Sequence, residues 1–91
     1  MNATTKRLSS MRRNPRDWQI DQLRTVARKV GMEVRNEGGS HHIFSYSGLK
    51  DTLSVPAHRP IKPVYIRAFV DLCDRVIELK VKKESRHDQD D

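Results

Sequence analysis

The sequence has a single cysteine, Cys73, and no long run of hydrophobic residues. A lone cysteine excludes both an intramolecular disulfide and a zinc site built from several thiolates of one chain, and low cysteine use is typical of a reducing compartment. No apolar stretch of signal-peptide length follows the basic N-terminus, and none approaches the ~20 residues of a membrane span. We therefore expect a soluble cytoplasmic protein without a membrane partner.

Aromatic residues are also scarce, with two Phe, two Tyr and one Trp among 91 residues. Hydrophobic residues make up 35% of the chain and charged residues 33%, so the chain can build one modest core beneath a heavily charged surface. We expect a single domain whose stability is marginal without a partner.

Acidic residues are outnumbered, with 12 Asp and Glu against 18 Lys and Arg, and the formal net charge is +6. A positive field of this size favours a polyanionic partner. Nucleic acid is the first candidate, and an acidic protein is the alternative. Both hold if an acidic protein covers the surface that binds nucleic acid.

Familiar catalytic motifs are missing. The sequence has neither the Gly-x-Ser-x-Gly elbow of serine hydrolases nor a phosphate-binding Gly-x-x-x-x-Gly-Lys loop. Cys73 falls on an apolar helical stripe, where a core thiol is expected rather than a nucleophile. His41 and His42 are neighbours on a predicted strand and point to opposite faces, so they cannot readily chelate one ion. We expect no metal and no cofactor.

Residues 1–13 carry no periodic apolar pattern, which predicts a flexible basic arm. Asn14 is a suitable N-cap, Pro15 suits the first helical position and Asp17 offsets the helix dipole, so a helix is predicted to begin there. Gly31 is predicted to end it. Apolar residues recur at helical spacing in between, at Ile20, Leu23, Val26, Ala27 and Val30.

Three short strands follow. Met32 and Val34 alternate with charged residues, which is the period of a half-buried strand, and Glu37, Gly38 and Gly39 form the turn that ends it. Residues 40–46 continue as the second strand of a hairpin. After a turn at residues 47–51, residues 52–55 form a third strand that ends before Pro56.

Pro63 is placed to open a second helix, predicted to continue to about Lys80, whereas residues 81–91 are polar and end in an acidic, disordered tail. The predicted fold is α+β, in the order α-β-β-β-α, with a three-stranded antiparallel sheet and two helices on one face. Residues 14–80 form the domain. The other face of the sheet is left open for a ligand.

RNA cleavage is a reaction that this chain has the residues to perform. RNA supplies its own nucleophile, the 2′-hydroxyl, so the protein needs a base for its proton, cations for the charge on the phosphorus centre and an acid for the leaving oxygen. A glycine pair, a hydroxyl and two imidazoles follow one another at Gly38, Gly39, Ser40, His41 and His42. Histidine titrates near neutrality, which suits the base or the acid role.

Three segments resemble the toxin component of HicA/HicB toxin-antitoxin systems: residues 39–44 (Gly-Ser-His-His-Ile-Phe), 55–58 (Val-Pro-Ala-His) and 61–63 (Ile-Lys-Pro). The resemblance covers about residues 18–79. It implies a double-stranded-RNA-binding-domain-like fold, ribosome-independent mRNA interferase activity, growth arrest and inhibition by a HicB-like antitoxin. The family's catalytic histidine maps onto His41. The extension at residues 1–13 and the Asp-rich tail depart from the typical family pattern.

From these arguments His41 is our candidate general base, with Ser40 and the Gly39 amide helping to hold the phosphate. This hypothesis requires that the His41 ring is not buried beneath the helices. The candidates for contacts to the RNA backbone are the cations Arg35, Lys50, Arg12 and Arg13.

The roles of His42 and His58 stay open. His58 is expected to have a structural role in its turn, with a leaving-group role as the alternative, and His42 is expected to pack or to lie at an edge. Two other functions remain for the whole chain: a noncatalytic RNA-binding module, and a subunit that binds only an acidic protein.

Overall fold

The computed structural model describes residues 2–36 and 38–89, without the side chains of 84–89. It confirms the α+β class and the predicted run of a helix, three strands and a helix, and it adds a helix at the N-terminus. The elements are α1 (Ala3–Arg13), α2 (Ile20–Val30), β1 (Glu33–Asn36), β2 (His41–Ser45), β3 (Leu53–Pro56) and α3 (Pro63–Gln89).

The three strands form one antiparallel sheet in the order β1-β2-β3. Val34 lies opposite Phe44, and Val55 lies opposite His42, so these side chains share the face that the helices cover. Phe44 is buried, and its ring meets that of Phe69 on α3 edge to face, with the ring centroids 5.2 Å apart. The core therefore lies between one face of the sheet and the helices.

Residues 1–13 do not form a flexible arm over the part that the structure describes. Ala3–Arg13 is helical, and the Asn2 side chain caps it by accepting a hydrogen bond from the Thr5 amide (2.8 Å). Leu8 and Met11 are buried where α1 packs against α2 and α3. The prediction was wrong because two apolar residues three positions apart do not make a recognisable stripe until other helices cover them.

The start of α2 also differs from the prediction. Asn14 does not cap it but ends α1, where its amide donates to the Ser10 carbonyl (2.9 Å). Asp17 has a positive φ of 65°, which is incompatible with a continuing helix. The helix begins after Gln19, whose amide donates to the Gln22 side chain (2.9 Å). Asn14 is therefore the C-cap of α1 and not the N-cap of α2.

The predicted disordered tail is helical in the described part, because α3 continues to Gln89. Lys80 Nζ donates to the Val30 carbonyl at the end of α2 (2.7 Å), and Glu78 pairs with Lys82 one turn further along. Such local pairs stabilise a polar helix without an apolar stripe. Residues 1, 37, 90 and 91, including the predicted turn residue Glu37, lie outside the description. No helix of the described ranges is long and apolar enough to cross a membrane.

Candidate active site

Strand β2 separates the two adjacent histidines. His41 is exposed, whereas His42 is buried at 7% relative accessibility. Successive side chains of a strand point to opposite faces, and the burial of Phe44 fixes which face is covered. His41 therefore lies on the open face and meets the accessibility that the nuclease hypothesis requires, while His42 packs in the interior as expected.

Arg35 shares this open face with His41. Arg35 on β1 lies directly opposite Ile43 on β2, and His41 is two residues from Ile43 along the same strand. This is the diagonal cross-strand relation, in which Cα atoms lie roughly 7–8 Å apart and long side chains can reach a common ligand. Arg35 and His41 are therefore diagonal neighbours on one face of the sheet, and both are exposed.

Asn36 holds the glycine turn that precedes His41, and sequence reasoning missed it. Its side-chain oxygen accepts hydrogen bonds from the amides of Gly38 (3.1 Å) and Gly39 (3.3 Å). Gly38 has a φ of +85°, which favours glycine. An Asn two residues before a glycine is a recognisable turn signal, so the sequence contained the information needed to find Asn36.

The same hydrogen bonds modify the predicted role of Gly39. Its amide already donates to Asn36, so it is not free to hold a phosphate in this conformation. A Cβ built on Gly39 would meet nothing within 4 Å, so the backbone here is open to a ligand. Ser40, between Gly39 and His41, is exposed.

The third strand brings another histidine to this end of the sheet. His41 pairs with Pro56, and beyond that pair the Ala57 amide donates to the Ser40 carbonyl (2.7 Å). The β2–β3 ladder thus extends past the strand ends. His58, the next residue, is exposed. It follows directly on the Ala57 amide that is bonded to Ser40, although 17 positions separate His58 from His41 in the sequence.

The buried ring of His42 contacts Asn36, the residue that holds the glycine turn. Its Nε2 lies 3.5 Å from the Asn36 side-chain nitrogen, and its Nδ1 has no partner among the described residues. Burial lowers the pKa of His42, and the positive charge of Arg24 lowers this pKa further, against a smaller opposing effect of Asp21. A neutral ring can accept a hydrogen bond at Nε2, so His42 is suited to orienting Asn36 rather than to transferring protons with a substrate.

Cys73 is fully buried, and this burial raises the pKa of its thiol to about 12, with a smaller contribution from Asp74. It is therefore a core thiol and not a nucleophile, because the thiolate is the reactive form. Over the described ranges, no three His, Cys, Asp or Glu side chains come close enough together to hold a metal ion.

The remaining predicted contacts lie elsewhere. Lys50 follows β2 in the loop to β3, at the end of the sheet opposite His41. Arg12 and Arg13 lie in the last turn of α1, on the helical layer, and Arg12 is paired with Asp74. The structure thus brings together the predicted site residues Arg35, Gly39, Ser40 and His41, and leaves Lys50, Arg12 and Arg13 apart from them.

The chain is similar to one known protein family. The family model described as the HicA toxin of bacterial toxin-antitoxin systems matches residues 20–74, which is more than half of the chain. No curated protein and no solved structure matches it. The matched region runs from the start of α2 into α3 and contains the whole candidate site, whereas α1 lies outside it. The chain belongs to the HicA toxin family of bacterial toxin-antitoxin systems.

Proposed function

We propose that this toxin is an endoribonuclease that cleaves mRNA, with His41 as the general base, and that a cognate HicB-like antitoxin neutralises it. One observation carries the proposal: His41 is exposed beside Arg35 on the uncovered face of the sheet, directly after a turn that leaves the backbone accessible. The net charge of +6 adds long-range attraction for RNA.

In the proposed reaction His41 removes the proton of a ribose 2′-hydroxyl, and that oxygen attacks the adjacent phosphorus. The bond from phosphorus to the 5′-oxygen breaks, which gives a 2′,3′-cyclic phosphate and a 5′-hydroxyl end. Arg35 stabilises the negative charge that develops on the phosphate oxygens, and the Ser40 hydroxyl donates to one of them. Because the nucleophile belongs to the RNA, this scheme requires only proton transfer and charge stabilisation from the protein.

The direct test is cleavage of a defined mRNA by the purified full chain. His41→Ala is expected to lower the cleavage rate by about 10²–10⁴-fold, because a positioned general base contributes on that order. Its melting temperature and RNA affinity should stay close to wild type, since His41 is exposed. Thr52→Ala, an exposed change at the other end of the sheet, is the control and should cleave normally.

Other outcomes would identify the competing functions. Wild-type protein that binds RNA without cutting it is a noncatalytic binding module, and protein with no measurable RNA affinity is a subunit for an acidic partner. Cleavage by His41→Ala at the wild-type rate removes His41 from the mechanism. Complete loss of cleavage in chelator would contradict the metal-independent scheme.

The partner is tested by growth. Expression of the toxin alone should arrest growth, His41→Ala should not, and co-expression of the small protein encoded beside the toxin should restore growth. Failure of that neighbour to restore growth would exclude it as the antitoxin while leaving the cleavage assay to decide the activity.

A further inference from the structure

We propose that His58 is a second catalytic residue, the general acid that protonates the 5′-oxygen as it leaves. This rests on the proposed endoribonuclease function, which assigns the proton-accepting role to His41 and names no donor for the leaving oxygen. Without a donor the 5′-oxygen departs as an alkoxide, so the scheme has one catalytic role left to fill.

The register of β2 and β3 places His58 near His41. His41 lies directly opposite Pro56, and the hydrogen bond from the Ala57 amide to the Ser40 carbonyl continues the pairing by one residue. The same register carried one residue further would put His58 across from Gly39 and diagonally from His41. Diagonal neighbours in a sheet have Cα atoms roughly 7–8 Å apart, a spacing at which two imidazoles can reach opposite sides of one phosphate.

The backbone on both sides of His58 is held in place. Ala57 is bonded to Ser40, and the Ile61 amide donates to the Trp18 carbonyl (3.0 Å). Ile61 is also buried. His58 itself is exposed, and its ring forms no hydrogen bond with any described residue. His58 is therefore presented to solvent from a segment that is anchored on both sides.

Neighbouring cations cannot take the same role. Arg59 is adjacent and exposed, but a guanidinium does not release a proton near neutral pH. His42 is buried on the other face of the sheet. Imidazole is the side chain that carries and releases a proton near neutrality, and His58 is the exposed imidazole that the ladder brings beside His41.

The protons balance over the two histidines. The 2′-oxygen to phosphorus bond forms as His41 accepts the 2′-hydroxyl proton, and the phosphorus to 5′-oxygen bond breaks as protonated His58 gives its proton to that oxygen. The products leave with His41 protonated and His58 neutral. Exchange with water then returns both residues to their starting forms.

A substrate whose leaving group needs no proton distinguishes a general-acid role of His58 from a structural role. The substrate is an oligonucleotide carrying the preferred cleavage site, as mapped on the defined mRNA, made with either the normal 5′-oxygen or a bridging 5′-sulfur. Thiolates are far better leaving groups than alkoxides. His58→Ala is expected to cleave the oxygen substrate about 10²-fold more slowly than wild type and the sulfur substrate at a rate near wild type.

Two controls frame this result. His41→Ala should be slow on both substrates, because the 2′-hydroxyl still needs a base. Arg59→Ala, beside His58, should lower both rates by a common factor if it only weakens RNA binding. His58→Gln keeps a polar side chain of similar length and replaces His58→Ala if circular dichroism shows that the alanine variant is unfolded.

The outcomes separate the two proposals. Equal slowing of the His58 variants on both substrates, or no slowing at all, overturns the acid role while the nuclease function stands. Wild-type protein that cleaves neither substrate overturns the nuclease function itself. Selective recovery on the sulfur substrate supports His58 as the proton donor.

Discussion

His41 and His42 are consecutive residues with the same ring, yet they lie in opposite environments. His41 is exposed on the face that it shares with Arg35, and His42 is buried on the covered face, where burial lowers its pKa. The covered face also holds the buried apolar side chains Phe44 and Val55. The open face keeps polar groups that can meet a polyanion.

Under the proposed function, alternate residues of β2 contribute to stability and to chemistry. Changes on the covered side should alter the free energy of unfolding and leave the chemistry of the folded protein intact. Changes on the open side should do the reverse. Asn36 is the exception, because it contacts the turn before His41 on one side and the buried ring of His42 on the other.

The largest effect on stability is expected at Met11, a buried residue of α1 in the helical layer that covers the sheet. Met11 is fully buried, so Met11→Ala should lower the free energy of unfolding by about 2–5 kcal/mol. Lys6→Ala, on the exposed side of the same helix, should change it by less than about 0.5 kcal/mol. Urea titration measures both values.

The same pair of variants tests the separation of roles. The fraction of Met11→Ala that remains folded should cleave RNA at the wild-type rate, because Met11 is packed among the helices. A lower rate per folded molecule would show that the helical layer influences the open face, and the comparison between the two faces would then fail.

A smaller effect is expected at Asn36. Asn36→Ala removes the acceptor for two backbone amides, each bond contributing about 0.5–1.5 kcal/mol. If that energy positions His41, kcat should fall about tenfold, which corresponds to about 1.4 kcal/mol. Asn36→Asp keeps the accepting oxygen and should restore most of kcat. An aspartate variant as slow as the alanine variant would show that Asn36 acts in another way.

The smallest effect concerns how stability depends on pH. The pKa of His42 is lowered in the folded protein from its ordinary value of 6.5, so between these two values the unfolded chain binds more protons than the folded one. Stability is therefore fully present above 6.5 and declines as the pH falls toward the lowered pKa. Unfolding free energies at about pH 7.5 and about pH 5.5 measure this decline.

His42→Gln is the matched variant, since an amide can still accept from Asn36 but does not titrate. The variant should lose less stability on acidification than wild type does. Equal losses in both proteins would assign the pH dependence to other groups and would leave the buried imidazole without an influence on stability.

Periodicity in the sequence predicted the parts of the fold with strong apolar patterns. The core face of α2, the three strands and α3 as far as about Lys80 follow directly from it. The pattern was too weak at α1, where Leu8 and Met11 are the buried residues. It was also absent beyond Lys80, where α3 continues with polar residues. In these two segments the helix is stabilised by contacts with neighbouring helices and by local ion pairs, which apolar spacing does not reveal.

The candidate site was predictable to a similar extent. The glycine turn and the family resemblance pointed to Ser40 and His41, and the hairpin position pointed to Arg35, which lies on the strand paired with that of His41. Parity alone could not say which face was covered, since both contain apolar residues. It also could not place Lys50, which lies at the other end of the sheet because it follows the opposite end of β2.

By itself, the sequence determined the α+β class, the positive charge and the family, because these depend on composition, local spacing and motif order. Only the tertiary structure decided that His41 is exposed while His42 is covered, that Asn36 holds the turn, and that Ala57, the residue before His58, is bonded to Ser40. Each of these depends on hydrogen bonds or packing between segments that are separated in the chain, and local residue patterns carry little information about such contacts.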